Sequence, residues 1–237
     1  MLAADLRVKV FADGADLVGM LEMHANPLIK GFTTNPTLMR KAGVSDYRSF
    51  ARTVLDAIQD RPISFEVLAD DFVTMYRQAV EIASWGPNVY VKIPITDTRG
   101  TPSTDLLRRL AAAGVRVNVT ALTTLEQVAD AVGAVCASPA AVISVFAGRI
   151  ADTGRDPVPI MKQAVDMLAP FRHVELLWAS PRELLNVIQA NDAGCHIVTA
   201  TSDILRKLDL LGRDLREVSL DTVRMFVHDA ELAGLQL

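Results

Sequence analysis

A single lysine, Lys92, lies within the apolar run at residues 89–93, in the segment VYVKIPIT. Burial of a lysine favours the neutral amine, which is a nucleophile that forms Schiff bases with carbonyl groups. Asp13 and Glu66 end two other apolar runs and supply carboxyl groups for proton transfer. Together the three residues predict chemistry that makes and breaks an iminium. The alternative that they leave open is an ion pair between Lys92 and a carboxylate with a purely structural role.

Other common catalytic centres lack their sequence patterns. The histidines His24, His173, His196 and His228 show no HxxxH or HxH spacing, and no GxSxG is present. The two cysteines form no CxxC pair, which argues against a zinc ribbon and against a disulfide scaffold. No GxGxxG or GxxxxGKS/T loop follows a predicted strand. We therefore expect no metal site and none of the usual dinucleotide or phosphate loops.

Short β-branched runs alternate with amphipathic stretches through eight cycles, without a linker rich in Pro, Gly or Ser. Eight βα units favour a closed barrel over an open doubly wound sheet. We predict an α/β fold, a single (β/α)8 TIM-barrel domain over residues 1–237 with an additional C-terminal helix. The predicted strands are 7–12, 30–33, 63–67, 89–93, 116–119, 142–146, 174–178 and 196–199. The predicted helices include 46–60, 71–83, 104–113, 122–135, 158–168 and 182–191.

The alternation of side chains along a strand predicts which polar groups face the barrel lumen. In VYVKIPIT, Lys92 lies on the face opposite Val91 and Ile93, so it points into the lumen if the aliphatic face meets the helices. The same rule gives further lumenal polar side chains near the carboxyl ends of strands, namely Asp13, Glu66, Asn118, Thr120 and Ser144. Because the βα loops converge at that end, we expect the active site there.

The stretch 213–235 follows the eighth unit and carries apolar residues at mixed spacings of three and four. This pattern predicts a helical arm, either one extra helix or a broken pair. The arm either closes the base of its own barrel or docks on a neighbouring subunit, and the sequence favours neither arrangement.

Composition limits the partners and the location of the protein. Of its 237 residues, 50% are hydrophobic and 22% are charged, and the formal net charge is -4. Without a basic excess, we expect neither nucleic acid nor a membrane surface as a partner. The first residues include Asp5 and Asp13 and show no basic end followed by a long apolar stretch, so they do not resemble a secretory signal. We expect a cytoplasmic protein.

Six strings follow one another along the strands: KGFTTNPT, SFEV, YVKIPIT, NVT, ISVFAGRI and ASPRE. In this order they resemble the transaldolase family, in particular its small single-domain branch, which also contains the fructose-6-phosphate aldolases. The resemblance implies a TIM barrel that acts on sugar phosphates without a metal or an organic cofactor. It also implies a homo-oligomer, a pentamer or a decamer, with residues 213–235 at an interface.

The resemblance implies a role for each motif residue. Lys92 would form the Schiff base with a ketose donor, and Asp13 would act as general acid and base in carbon–carbon cleavage. Glu66 and Thr120 would hold a water that shuttles protons. The implied substrate-binding residues are Thr34, Asn35, Asn118, Ser144, Phe146, Arg149, Ser180 and Arg182. Among these, Arg149, Ser180 and Arg182 would bind a distal phosphate, a task that suits the donor fork of a guanidinium.

Three positions distinguish this chain within the family. Glu66 and Phe146 are the residues typical of transaldolases, whereas the aldolase branch has Gln and Tyr there. The resemblance therefore implies transfer of a dihydroxyacetone unit from a ketose phosphate to an aldose phosphate, as in the pentose phosphate pathway of carbohydrate metabolism. The alternatives are an aldolase that releases free dihydroxyacetone and a non-catalytic sugar-phosphate binder. Pro181 replaces an aromatic residue of many relatives and is expected to alter the phosphate site beside Arg182.

Overall fold

Eight parallel strands pair in sequence order, and the last closes on the first to form a barrel. This architecture comes from a computed structural model, which describes residues 2–235. The strands are β1 Lys9–Asp13, β2 Ile29–Thr33, β3 Ile63–Glu66, β4 Val89–Pro94, β5 Val117–Leu122, β6 Ala141–Val145, β7 Val174–Trp178 and β8 Ile197–Ala200. The predicted (β/α)8 TIM barrel is confirmed, and every predicted strand overlaps an observed one.

Helices follow the strands, and apart from the last one they pack on the outside of the barrel. They are α1 Leu17–Ala25, α2 Pro36–Lys41, α3 Tyr47–Ala57, α4 Phe72–Ala83, α5 Thr104–Ala112, α6 Leu125–Val135, α7 Ala147–Ala151, α8 Val158–Leu168, α9 Leu185–Asp192, α10 Ser202–Leu205 and α11 Leu215–Leu232, with 3-10 turns at Ala3–Asp5 and Arg206–Leu210. Each of the first four helices has an N-cap residue whose side-chain oxygen accepts a hydrogen bond from a backbone N–H of the first turn. These N-cap residues are Asp16, Asn35, Asp46 and Asp71.

Several boundaries differ from the prediction by one to three residues, and for two of them the local reason is visible. β5 continues three residues past position 119, because its pairing with β6 shifts register between Val119 and Leu122, where Ala121 adopts a left-handed φ of 67°. The helix predicted to begin at residue 182 begins at Leu185. The backbone N–H of Arg182 donates instead to Asn186 Oδ1, which holds the preceding residues in a turn.

An apolar cluster, which we call the plug, lies in the lumen of the barrel. Its buried members are Phe11, Val142, Leu177, Ala179 and Ile197. The ring of Phe11 lies directly on β2 at Gly31, where an added Cβ would be 2.5 Å from Phe11 Cζ. Only glycine admits that ring, so the plug requires this residue in β2. The carboxyl ends of the strands carry polar groups.

The predicted C-terminal arm is one helix, α11, and the prediction of a broken pair is wrong. In this part of the chain no residue of α11 is buried, and Val223, Phe226 and Val227 are 54%, 62% and 55% exposed. The helix therefore does not close the base of its own barrel. Within residues 2–235, no helix is both long and apolar enough to cross a bilayer.

Candidate active site

A cavity of about 440 Å³ opens at the carboxyl end of the barrel. It is lined by every predicted site residue except Thr34, namely Asp13, Asn35, Glu66, Lys92, Asn118, Thr120, Ser144, Phe146, Arg149, Ser180 and Arg182. The barrel closure brings these residues together from separate strands and loops. The lumenal orientation predicted from strand alternation is therefore observed for the polar groups of β1 and β3 to β6.

The amine of Lys92 is held between two oxygen atoms. Its Nζ donates to the carbonyl oxygen of Thr34 at 2.8 Å and lies 3.0 Å from Glu66 Oε2. The register of β3 and β4 pairs Glu66 with Lys92, which sets the two side chains next to each other. Lys92 is only 6% exposed. Its ion pair with Glu66 is the one that the structural alternative required, yet the amine also lines a sugar-sized cavity, which a purely structural pair does not need.

The side chain of Thr34, which was predicted to bind substrate, does not line the cavity. Its side chain is fully buried and its hydroxyl donates to the carbonyl oxygen of Ser64 at 2.8 Å. The side chain is thus engaged with β3 and lies outside the cavity lining. The contribution of Thr34 to the site is its carbonyl oxygen, which holds Lys92.

The carboxyl of Asp13 ends a short relay of hydroxyl groups. Thr33 Oγ1 donates to Asp13 Oδ1 at 2.8 Å, and Thr199 Oγ1 lies 2.6 Å from Thr33 Oγ1, where it donates in turn. Burial raises the pKa of Asp13, while the positive charge of Lys92 and the Thr33 hydrogen bond oppose that rise. Sequence reasoning missed Thr33 and Thr199, although their strand positions share the lumenal face with Gly31 and Ile197.

A second network crosses three strands. Asn118 Nδ2 donates to Ser64 Oγ at 3.1 Å, and Ser144 Oγ donates to Asn118 Oδ1 at 2.6 Å. These bonds fix the amide and both hydroxyls. Beside them, Thr120 Oγ1 is buried and makes no hydrogen bond to any residue of the range 2–235. Since buried hydroxyls are normally satisfied, this hydroxyl is available to a polar group in the cavity.

Two residues outside the barrel strands, Asn35 and Tyr47, also take part in the structure of the site. Asn35 is the N-cap of α2, where its Oδ1 accepts from Leu38 N at 3.0 Å. Tyr47, on α3, donates its hydroxyl to the carbonyl oxygen of Glu66 at 2.9 Å. No sequence pattern pointed to Tyr47, because this contact depends on how α3 packs on the barrel. Among the described residues, no three His, Cys, Asp or Glu side chains are grouped so that they could hold a metal ion.

The cavity mouth carries the predicted arginines on the loops after β6 and β7. The two loops touch at Gly148, where an added Cβ would lie 1.6 Å from the carbonyl oxygen of Ser180. Ser180 itself adopts a left-handed φ of 57° immediately before Pro181. Arg149 and Arg182 both line the cavity from this rim, and Arg182 also forms an ion pair with Asp152.

Comparisons with known proteins agree with the motifs. The family described as Transaldolase/Fructose-6-phosphate aldolase matches residues 10–236. A "Probable transaldolase" of Dehalococcoides mccartyi is 32% identical over 202 residues, which cover 85% of this chain and 90% of that protein. Another "Probable transaldolase", from a Thermoanaerobacter species, is 32% identical over 235 residues, with coverage of 97% and 100%. The resemblance that the motifs indicated is confirmed.

One solved structure shows the fold at a greater distance. It is described as "QR15, an Aldolase" and superposes with a TM-score of 0.58 at 12% sequence identity. The match covers 87% of this chain and 99% of that one. At this identity the likeness concerns the barrel fold alone.

Replacing Thr33 by valine removes the hydroxyl that donates to Asp13 and keeps the shape of the side chain. Because that hydrogen bond stabilises the carboxylate, we expect the pKa of Asp13 to rise further above its ordinary value. NMR titration of the aspartate carboxyl carbons measures this change. Thr53→Val, which removes an exposed hydroxyl from α3, is the control. An Asp13 pKa that stays the same or falls would contradict the relay.

Proposed function

This chain belongs to the transaldolase/fructose-6-phosphate aldolase family, and we propose that it transfers a dihydroxyacetone unit from a ketose phosphate to an aldose phosphate through a Schiff base on Lys92. The observation that carries the proposal is a buried amine that lines a cavity together with the carboxyls of Glu66 and Asp13. The reaction interconverts sugar phosphates within carbohydrate metabolism, as in the pentose phosphate pathway, and it needs neither a metal nor an organic cofactor.

The first stage joins the donor to the enzyme. Lys92 gives a proton to the Glu66 carboxylate 3.0 Å away, and the neutral amine adds to the C2 carbonyl of the ketose. The carbinolamine oxygen is then protonated and leaves as water, which forms the iminium. Glu66 returns the proton for that step. The free hydroxyl of Thr120 is suited to hold the water that carries these protons.

The second stage breaks the carbon–carbon bond. The Asp13 carboxylate removes the proton of the C4 hydroxyl, the C3–C4 bond breaks, and its electron pair flows into the iminium to give an enamine. The aldose phosphate product leaves with a new aldehyde group. Burial raises the pKa of Asp13, which suits a group that accepts this proton and returns it to the acceptor's oxygen in the reverse step. Hydrolysis of the final iminium frees Lys92.

Phe146 accounts for transfer rather than release. Release of dihydroxyacetone requires a proton donor at the enamine carbon, and a tyrosine at this position would supply one. Phe146 lines the cavity but has no proton to give. The enamine therefore persists until an aldehyde acceptor enters. The mouth residues Arg149, Ser180 and Arg182 are suited to bind the terminal phosphate of donor or acceptor.

We also propose that copies of this chain associate through α11. Most of the stability of a helix in a protein comes from packing of its apolar face, and α11 has no buried residue on its own barrel. Val223, Phe226 and Val227 lie on one side of it and are each more than half exposed. An apolar face of this kind marks an interface, and a second copy of the chain covers it in a pentamer or decamer.

Placing an aspartate on that face is expected to dissociate the oligomer. Light scattering should give a multiple of the 25.7 kDa chain for the unmodified protein and a lower mass for Phe226→Asp. His228→Asp adds the same charge on the opposite face of α11 and should leave the mass unchanged. A stable monomer of the unmodified protein would remove this proposal and leave the catalytic one intact.

Lys92→Ala is expected to lower transfer by at least about a thousand-fold, because the covalent intermediate no longer forms. Borohydride reduction in the presence of a ketose phosphate should add a dihydroxyacetone fragment to the unmodified protein and nothing to the variant. Intact-mass spectrometry and peptide mapping locate the adduct. Lys162→Ala, an exposed lysine on α8, is the matched control. Undiminished transfer by Lys92→Ala would end the proposal.

Phe146→Tyr is expected to convert transfer into release. A phenol beside the enamine supplies a general acid, so release of free dihydroxyacetone without acceptor should rise by about 10- to 100-fold while transfer falls. A coupled assay for dihydroxyacetone measures the release. Abundant release by the unmodified protein would instead identify an aldolase. Binding of sugar phosphates with no turnover for any donor and acceptor pair would identify a non-catalytic binder.

A further inference from the structure

Arg182 holds a carboxylate of its own chain in the geometry used for phosphate. Its Nε donates to Asp152 Oδ1 at 2.8 Å, and its Nη2 donates to Asp152 Oδ2. Two parallel N–H donors directed at two oxygens are the fork with which a guanidinium binds carboxylate or phosphate. The Arg182 side chain is 42% exposed and that of Asp152 is 45% exposed, so the pair lies at the cavity mouth within reach of solutes.

The backbone fixes the distance between the two partners. Asp152 follows α7, which carries Gly148 and Arg149, whereas Arg182 follows β7. Gly148 N donates to Ala179 O at 3.3 Å, and Gly148 lies so close to Ser180 that a Cβ there could not be accommodated. The two segments are therefore held together next to the ion pair, and this contact keeps Asp152 and Arg182 close to each other.

The pair halves the positive charge of the rim. In the described part of the chain, the guanidinium of Arg149 makes no hydrogen bond or ion pair, although it lines the cavity. Hydrogen bonds and charge from Arg182, together with the charge of Arg149, hold the pKa of Asp152 below its ordinary value, so Asp152 is ionised at neutral pH. Arg149, Arg182 and Asp152 together carry one net positive charge instead of two.

We propose that Asp152 is a specificity-determining residue whose carboxylate competes with phosphate for the donor fork of Arg182. This inference rests on the proposed function of the rim as the terminal-phosphate site. A phosphate on a sugar that is bound to Lys92 acts at an effective concentration on the order of millimolar or higher, and it displaces the carboxylate. Free inorganic phosphate lacks that advantage, so the rim selects the phosphate of a tethered substrate over the free ion.

The opposite effect follows if Asp152 only orients Arg182. In that case the carboxylate fixes the guanidinium plane, and the unused Nη1 edge binds the phosphate. Removing the carboxylate would then free the arginine side chain and weaken phosphate binding. The two roles therefore predict opposite signs for the same substitution.

Asp152→Asn tests the sign, because it removes the charge and keeps the size of the side chain. By calorimetry, we expect inorganic phosphate to bind the variant about three- to ten-fold more tightly than the unmodified protein. The gain is modest because water and salt screen the repulsion between the Asp152 carboxylate and a phosphate bound at Arg182. Phosphate should also inhibit transfer at correspondingly lower concentrations. The control is Asp166→Asn, which makes the same change of net charge on the exposed side of α8 and should leave both quantities unchanged.

Phosphate affinity that is unchanged or weaker in Asp152→Asn would overturn the proposal, and so would a lack of phosphate binding by both proteins. Calorimetry does not depend on turnover, so it separates this inference from the proposed function. If phosphate binds Asp152→Asn more tightly but borohydride traps no adduct on the unmodified protein, the competition stands and the transaldolase proposal fails. If the adduct forms but phosphate affinity does not respond to Asp152, only the inference fails.

Discussion

The contact between Lys92 and Glu66 is the interaction on which the site depends. It exists because β3 and β4 pair in the register that sets Glu66 opposite Lys92. A shift of one residue would turn the amine toward the helices. Burying both charges costs hydration, and a pair of this kind is weak evidence for stability. Its position beside a cavity explains the pair better, because the proposed Schiff-base chemistry needs a proton acceptor next to the amine.

The polar layer around this pair works against the stability of the barrel. Burial raises the pKa of Asp13 above its ordinary value, so the protonated carboxyl is favoured by folding. That contribution is fully present below the ordinary pKa of an aspartate and is lost as the pH rises through the raised pKa, so ionisation of the Asp13 carboxyl destabilises the fold. The plug offsets such costs by burying Phe11 against Gly31.

Sequence patterns predicted the parts of the molecule that repeat and not the parts that depend on packing. Strand alternation placed Lys92 in the lumen, and the same rule applied to β2 and β8 would have found Thr33 and Thr199. The contact of Tyr47 with Glu66 was beyond reach, because it depends on the packing of α3 against the barrel. The pairing of Asp152 with Arg182 was also beyond reach, because it depends on how two loops meet. Thr34 was assigned by its motif, yet only its backbone faces the amine.

The residues that strand alternation predicted lie on the strands, whereas the ion pair that could not be predicted lies in the rim. In the proposed mechanism, bond formation and cleavage fall to Asp13, Glu66 and Lys92, which lie on strands whose positions are fixed by their pairing. In the same proposal, recognition of the rest of the substrate falls to the rim. The two non-glycine residues with left-handed φ in the described range both line the cavity, Ala121 from β5 and Ser180 from the rim. Such strain persists only where neighbouring contacts hold it, as the close approach of Gly148 does for Ser180. The rim can therefore change its ligand preference through single side chains, while the chemistry on the strands stays constant.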